Sequence, residues 1–151
     1  SAQAREIFFD WVSEQSEGAQ RYFHTGDATF SGAIVHYQID VPEGHLLKEE
    51  HRSHSSFNQL YLNDSEQFIG FSYQYETENS SSSLFVMDGD ADKKSVYVHN
   101  TPADLYLSHD PTSSNTIVWT DEKTGALLEI SALLNESELI SLAETATPMA
   151  S

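Results

Sequence analysis

Between residues 33 and 130 the chain is broken into short runs in which apolar and polar residues alternate, and a period of two restricts such runs to strands with one buried face. Ala33, Val35, Tyr37, Ile39 and Val41 alternate with Ile34, His36, Gln38 and Asp40, and Pro42-Glu43-Gly44 closes the run in a turn. Further runs cover Ser56 to Asn63, Gln67 to Thr77 and Ser83 to Met87, separated by Asn63-Asp64-Ser65 and by Glu78 to Ser82. Within them Phe57, Gln59 and Tyr61 oppose Leu60 and Leu62, while Phe68, Gly70, Ser72 and Gln74 oppose Ile69, Phe71, Tyr73 and Tyr75. Strands are also expected at Ser95 to His99 and Thr116 to Thr120, then a turn at Asp121 to Gly125 and one more strand. One face of the resulting sheet has to be covered.

Helices at the two ends are the expected cover. Phe8, Trp11, Val12, Gln15, Ala19, Tyr22 and Phe23 recur at mostly three and four residues, which predicts an amphipathic helix over 4–23, weakened at Gly18. Near the other end Asn135 is placed as an N-cap with Glu138 three positions on, ahead of the apolar stripe Leu139, Leu142, Ala143 and Ala146. Thr147 and Pro148 are expected to close that helix and residues 149–151 to fray. The reading is an α+β fold: a single antiparallel, meander-like sheet of about six to eight strands, with N-terminal and C-terminal helices on one face. A chain of 151 residues with 17 aromatics suits one domain over 1–151, able to bury about 70% of its unfolded surface.

The last third holds Val96, Val98, Ala103, Leu105, Ile117, Trp119, Gly125, Ile130, Leu133, Glu138, Leu139, Ala143 and Glu144 in one order. On these residues the chain resembles the DUF4367 family, a domain of unknown function. The likeness covers roughly residues 42–148 and extends more loosely over the first 41, where Phe8 to Val12 resembles a segment found ahead of the domain. Asn100-Thr101 departs from it, because a glycine stands there in many relatives. The resemblance implies an extracytoplasmic, C-terminal part of a membrane-anchored protein of Gram-positive bacteria. Some relatives carry anti-sigma-factor-like N-terminal regions, which implies sensing or partner binding outside the membrane.

The charge balance narrows the partners. Twenty-four acidic residues against 7 basic ones give a net charge of −17 and a pI near 4.4. Nucleic acid and anionic membrane surfaces both need clustered Lys and Arg, and Lys93-Lys94 is the only adjacent basic pair. Such acidity suits a solvated surface, calcium or a basic partner. With no cysteine, disulfides, thiolate metal sites and thiol nucleophiles are excluded, whereas the compartment is not decided. No run of about 18 apolar residues and no basic flank followed by an apolar run occurs, so membrane contact is expected only through an upstream anchor. Ser1-Ala2 followed at once by a helical pattern reads as a piece trimmed from behind such an anchor.

Constellations that could carry chemistry are incomplete. Asp88, Asp90 and Asp92 alternate as in a calcium loop, but Lys93 takes the place of the bending glycine and His99 that of the closing glutamate. His51 and His54 are three apart, not four, and lack a third ligand for zinc. His36 and His99 are expected in strands. The serines from Ser80 to Ser83 lack the strand-turn-helix setting of a nucleophile. Distant carboxylate pairs are expected by accident in so acidic a chain. No catalytic, cofactor or metal residue is therefore assigned. Two classes remain: a noncatalytic sensor or interaction module engaging a protein, peptide or cell-wall partner, and a carrier holding a lipid-like ligand between sheet and helices. A carrier would show a cavity lined by residues such as Trp11, Phe71, Tyr73 and Trp119.

Overall fold

The computed structural model describes residues 5–8, 11–16, 18–25, 33–77 and 83–150. Its strands are β1 (Arg5–Phe8), β2 (Trp11–Ser16), β3 (Ala19–His24), β4 (Tyr37–Gln38), β5 (Leu46–Arg52), β6 (Ser56–Leu62) and β7 (Phe68–Gln74). They continue with β8 (Ser83–Met87), β9 (Ala91–Val98), β10 (Thr101–Ser108), β11 (Asn115–Asp121) and β12 (Ala126–Ala132). One helix, α1 (Glu136–Glu144), and the two-residue β13 (Thr147–Pro148) follow. Seven strands form an antiparallel sheet in the order β5-β6-β7-β12-β11-β10-β9, so two meanders meet where β7 pairs with β12. A second sheet runs β1-β2-β3-β8, and β13 pairs with β4.

The expected large antiparallel sheet is present, but the fold is mostly β and the expected N-terminal helix is replaced by strands. Ser16 pairs with Ala19, and Gly18 takes φ +68°, the left-handed conformation that tight hairpin connections use. The glycine that weakens a helix here turns a hairpin. Trp11 and Ser13 are both buried, which is a period of two, and the Trp, Val, Tyr and Phe of this segment favour strands over helix. Ala4, Phe9, Asp10 and Glu17 of the expected helix lie outside the described residues.

Both faces of the large sheet are covered, rather than one. On the first, Phe71, Tyr73, Leu105, Ile117 and Ile130 pack in one cluster with Leu139, Leu142 and Ala143 of α1. On the opposite face Tyr106, Val118 and Leu127 pack with Trp11, Tyr22 and Val86 of the second sheet. The helix starts where Asn135 accepts from the Glu138 amide at 2.9 Å and Glu138 accepts from the Asn135 amide at 3.0 Å, a reciprocal cap that contributes about 1 kcal/mol. It ends earlier than expected, at Glu144, because the Thr145 hydroxyl donates to the Leu142 carbonyl and turns the chain out.

Beyond the helix the chain continues alongside an earlier segment, and Ser151 of the expected tail lies outside the described residues. The Met149 amide donates to the His36 carbonyl at 2.7 Å and the Asp40 amide to Thr145 Oγ1 at 3.0 Å, so residues 145–149 run beside 36–40 as a strap. Of the alternation read over 33–41, burial follows it over 37–40, with Tyr37 and Ile39 in and Gln38 and Asp40 out, whereas Ala33 is exposed and Ile34, Val35 and His36 are all half-buried. Only Tyr37–Gln38 is a strand, however, because its partner is β13 and not the large sheet. At the sheet's edge, β5 is exposed along its whole length. A bulge between Leu47 and Glu49 and a run of charged side chains blunt that edge against strand addition.

Glu129 lies opposite Val118 and Ser72 in the ladder. Burial pushes its carboxyl up to about 7 from an ordinary 4.5, and the Ser72 hydroxyl at 3.5 Å opposes this only slightly. Between those two values the folded protein holds a proton that the unfolded chain has released. Stability therefore falls as pH rises through this window, by up to about 3 kcal/mol, and flattens above it. Urea denaturation of Glu129→Gln at pH 5 and pH 8 should show that slope reduced and the pH 8 stability raised. An unchanged slope would remove Glu129 as its source.

Candidate functional site

Two turns and the strap frame the main concavity. The β9–β10 connection is His99-Asn100, joining the paired residues Val98 and Thr101, with φ +50° and +63°. Positive φ at both positions is the mirror-image turn that suits hairpin twist, and His and Asn are among the side chains that tolerate it. This is how the chain turns here without a glycine. His99, expected at a strand end, is thus a turn residue, and its Nε2 is held 2.6 Å from the Glu144 carbonyl oxygen at the end of α1.

The β11–β12 turn falls where the sequence placed it. The Gly125 amide donates to the Asp121 carbonyl at 2.7 Å with Gly125 at φ +79°, and the Lys123 amide donates to Asp121 Oδ1 at 3.0 Å. Two distant side chains pin this turn. From one side the Tyr37 hydroxyl donates to Asp121 Oδ2 at 2.7 Å and meets the Thr124 hydroxyl at 2.6 Å. From the other, Trp11 Nε1 donates to the Gly125 carbonyl at 2.9 Å. Burial raises the Tyr37 hydroxyl far above the ordinary tyrosine range, so it stays a donor. Burial likewise pushes neighbouring Tyr75 up to about 12, and its hydroxyl donates to the Val35 carbonyl at 2.7 Å.

Between the turns and the strap lies a half-enclosed cleft of about 380 Å³. Val98, Trp119, Leu128 and Tyr37 line it, Ala146 to Pro148 form one lip, and Asp121, Glu122 and Lys123 stand at the mouth. The aromatic and aliphatic wall is shallow, since Tyr37, Val98, Trp119 and Leu128 are each no more than 5% exposed, and charge stands at its rim. Two of its polar side chains hold the walls: Tyr37 fixes the β11–β12 turn and His99 fixes the other hairpin to α1. Across the strap a more open groove of about 370 Å³ lies between α1 and Asp40 and Pro42, with no aromatic wall.

Of the four residues proposed to line a carrier cavity, Trp119 alone is in the cleft. Phe71 and Tyr73 are packed in the core, where Tyr73 stacks on Phe57 at 4.9 Å between ring centres and meets Tyr37 edge-on at 5.2 Å, and Trp11 is on the opposite face of the sheet. The three aspartates do not converge. Asp88 accepts from Gln15 Nε2 at 3.4 Å, Asp92 sits 2.8 Å from His109 Nε2, and Asp90 is exposed. Asp92 raises the His109 imidazole above its ordinary value, first through that hydrogen bond. Among the described residues no group of three or more His, Cys, Asp or Glu is gathered as a metal would require. His51 and His54 are exposed, His51 lying 3.7 Å from Glu49, while His36 Nδ1 is 3.0 Å from the Tyr73 hydroxyl. Ser80 to Ser82 lie outside the described residues. Sequence reading missed Tyr37 and the strap as parts of a site; the one signal was a buried-phase tyrosine in a run whose partner strand was not evident.

A family model described as a domain of unknown function (DUF4367) matches residues 36–145. That span contains every lining residue of the cleft except Ala146, Thr147 and Pro148, and leaves β1, β2 and β3 outside. Neither a curated protein nor a solved structure matches the chain. No helix of the described residues is long and apolar enough to cross a membrane.

Proposed function

The chain belongs to the DUF4367 family, and from that footing we propose that it is a noncatalytic binding domain, the sensing or partner-recognition part of an extracytoplasmic, membrane-anchored protein. Its recognition site is the cleft between Tyr37, Trp119 and the strap. The observation that carries this reading is the fixed rim: hydrogen bonds from Tyr37 and Trp11, both from distant parts of the chain, hold the β11–β12 turn in place. A site whose walls are already positioned loses little entropy on binding. The two side chains best suited to acid or base work, Tyr37 and His99, are engaged in that framing, which favours binding over turnover. The packed face of the large sheet favours the interaction module over a carrier with an enclosed ligand, since Phe57, Phe71, Tyr73 and Leu139 belong to one buried cluster there. The acidic surface suits a domain held in solvent outside the membrane.

A fragment screen read by amide NMR on the whole chain tests this. Binding fragments should shift the Trp119 indole together with the Thr101 and Thr147 amides. Thr147→Trp, which places a ring on the exposed lip, should abolish those shifts while leaving the fold intact. Shifts clustered elsewhere, at the exposed Leu46, Phe68 and Leu133 for example, would move the recognition site away from the cleft.

A further inference from the structure

Resting on that reading of the cleft, we propose that its occupant is a cationic amphipathic peptide segment, with an apolar side chain against Trp119 and Tyr37 and an adjacent Lys or Arg on the carboxylates at the mouth. Size is the first argument. A cleft of about 380 Å³ is at the lower end of the roughly 300–1,000 Å³ typical of ligand sites, which suits one or two side chains. Charge is the second. Asp121 and Glu122 stand at the mouth against one cation, Lys123, and Glu144 follows close behind, with its Oε2 3.4 Å from the His99 amide. Asp121 Oδ2 already accepts from Tyr37 and Oδ1 from the Lys123 amide, yet a carboxylate has about four acceptor positions and so retains two.

The whole chain reinforces the local balance. A net charge of −17 repels anionic ligands such as fatty-acid carboxylates and phosphorylated groups and draws cationic ones toward the surface. An aromatic wall next to carboxylates also gives a basic side chain two favourable contacts, its stem on the ring and its head on the acid. Each exposed pair is individually weak, so the preference should be modest and sensitive to salt.

The test uses three probes on the whole chain: N-acetyl-phenylalanyl-lysine amide, the glutamine analogue and the glutamate analogue, each titrated while the Trp119 indole and the Thr101 and Thr147 amides are followed by NMR. The lysine probe should bind about 5- to 10-fold more tightly than the glutamate probe, with glutamine between them. Glu122→Lys, at an exposed position remote from the core, should erase that order, as should 0.5 M salt. Equal affinities for the three probes, or tighter binding of the glutamate probe, would overturn the charge preference and leave the cleft standing as a site. Failure of all three probes to shift the cleft resonances at millimolar concentration would overturn both.

Discussion

Replacing Phe71 with alanine is expected to destabilise the protein by about 3–5 kcal/mol, a large share of the roughly 5–15 kcal/mol that holds a domain together. Phe71 is 1% exposed, pairs across the sheet with Ile130 and Gln59, and has the Tyr73 ring centre 5.6 Å away. Its removal takes away apolar burial and opens a hole that strands held on both sides cannot collapse into. Leu46→Ala, at a position 64% exposed, should change stability by less than about 0.5 kcal/mol and serves as the control. Urea denaturation followed by circular dichroism reads both. The result also bears on function, because Phe71 belongs to the buried cluster on the sheet face where an enclosed ligand would sit. A loss below about 1.5 kcal/mol would mean that this face is loosely packed and would return the carrier reading to contention.

Legibility in the sequence followed how local each constraint is. The cap at Asn135 and Glu138 and the turn from Asp121 to Gly125 were both readable, since each is set by residues within four positions of one another. Alternation in Ile69, Phe71, Tyr73 and Tyr75 likewise fixed which face of β7 is buried. Partners could not be read this way. Tyr37 and Ile39 show the burial phase of an extended chain, but a period of two is silent on whether that chain ladders into a sheet or lies across a helix end with Thr147–Pro148. The N-terminal segment failed for a different reason. Phe8, Trp11, Val12, Ala19 and Tyr22 satisfy helical spacing by coincidence, so the β-favouring residues read as an apolar stripe, and the turn glycine at 18 reads only as a flaw in a helix. The cleft was unreadable because its walls come from β4, β9, β11, β12 and the strap, and no motif joins them.

Asp104→Ala should be the second severe substitution, lowering stability by about 2–4 kcal/mol, because a carboxylate that is 1% exposed ties the two sheets together. Asp104 on β10 accepts from the Tyr22 hydroxyl of β3 at 2.6 Å, the Tyr22 and Tyr106 hydroxyls are hydrogen-bonded to each other, and Lys93 Nζ lies 3.7 Å from Asp104. Burial, then Tyr106 and Asp104, raises the Tyr22 hydroxyl well beyond the ordinary tyrosine range, so it remains a donor at every pH at which the protein folds. Alanine leaves a void and takes the charged acceptor from Tyr22. Asparagine keeps the shape and an acceptor oxygen but turns an amide toward the Lys93 ammonium, so it should recover only part of the loss. The decisive quantity is the coupling between Asp104→Ala and Tyr22→Phe in a double-mutant cycle. A hydrogen bond to a buried carboxylate predicts about 1.5–3 kcal/mol of coupling, whereas two residues that merely fill space predict less than about 0.5. Coupling in the lower range would mean that the second sheet is held by Trp11, Tyr22 and Val86 packing and by the Trp11 bond to Gly125, with little from Asp104. In the upper range, one buried acid fixes the N-terminal hairpin against a domain whose family-matched span begins after it.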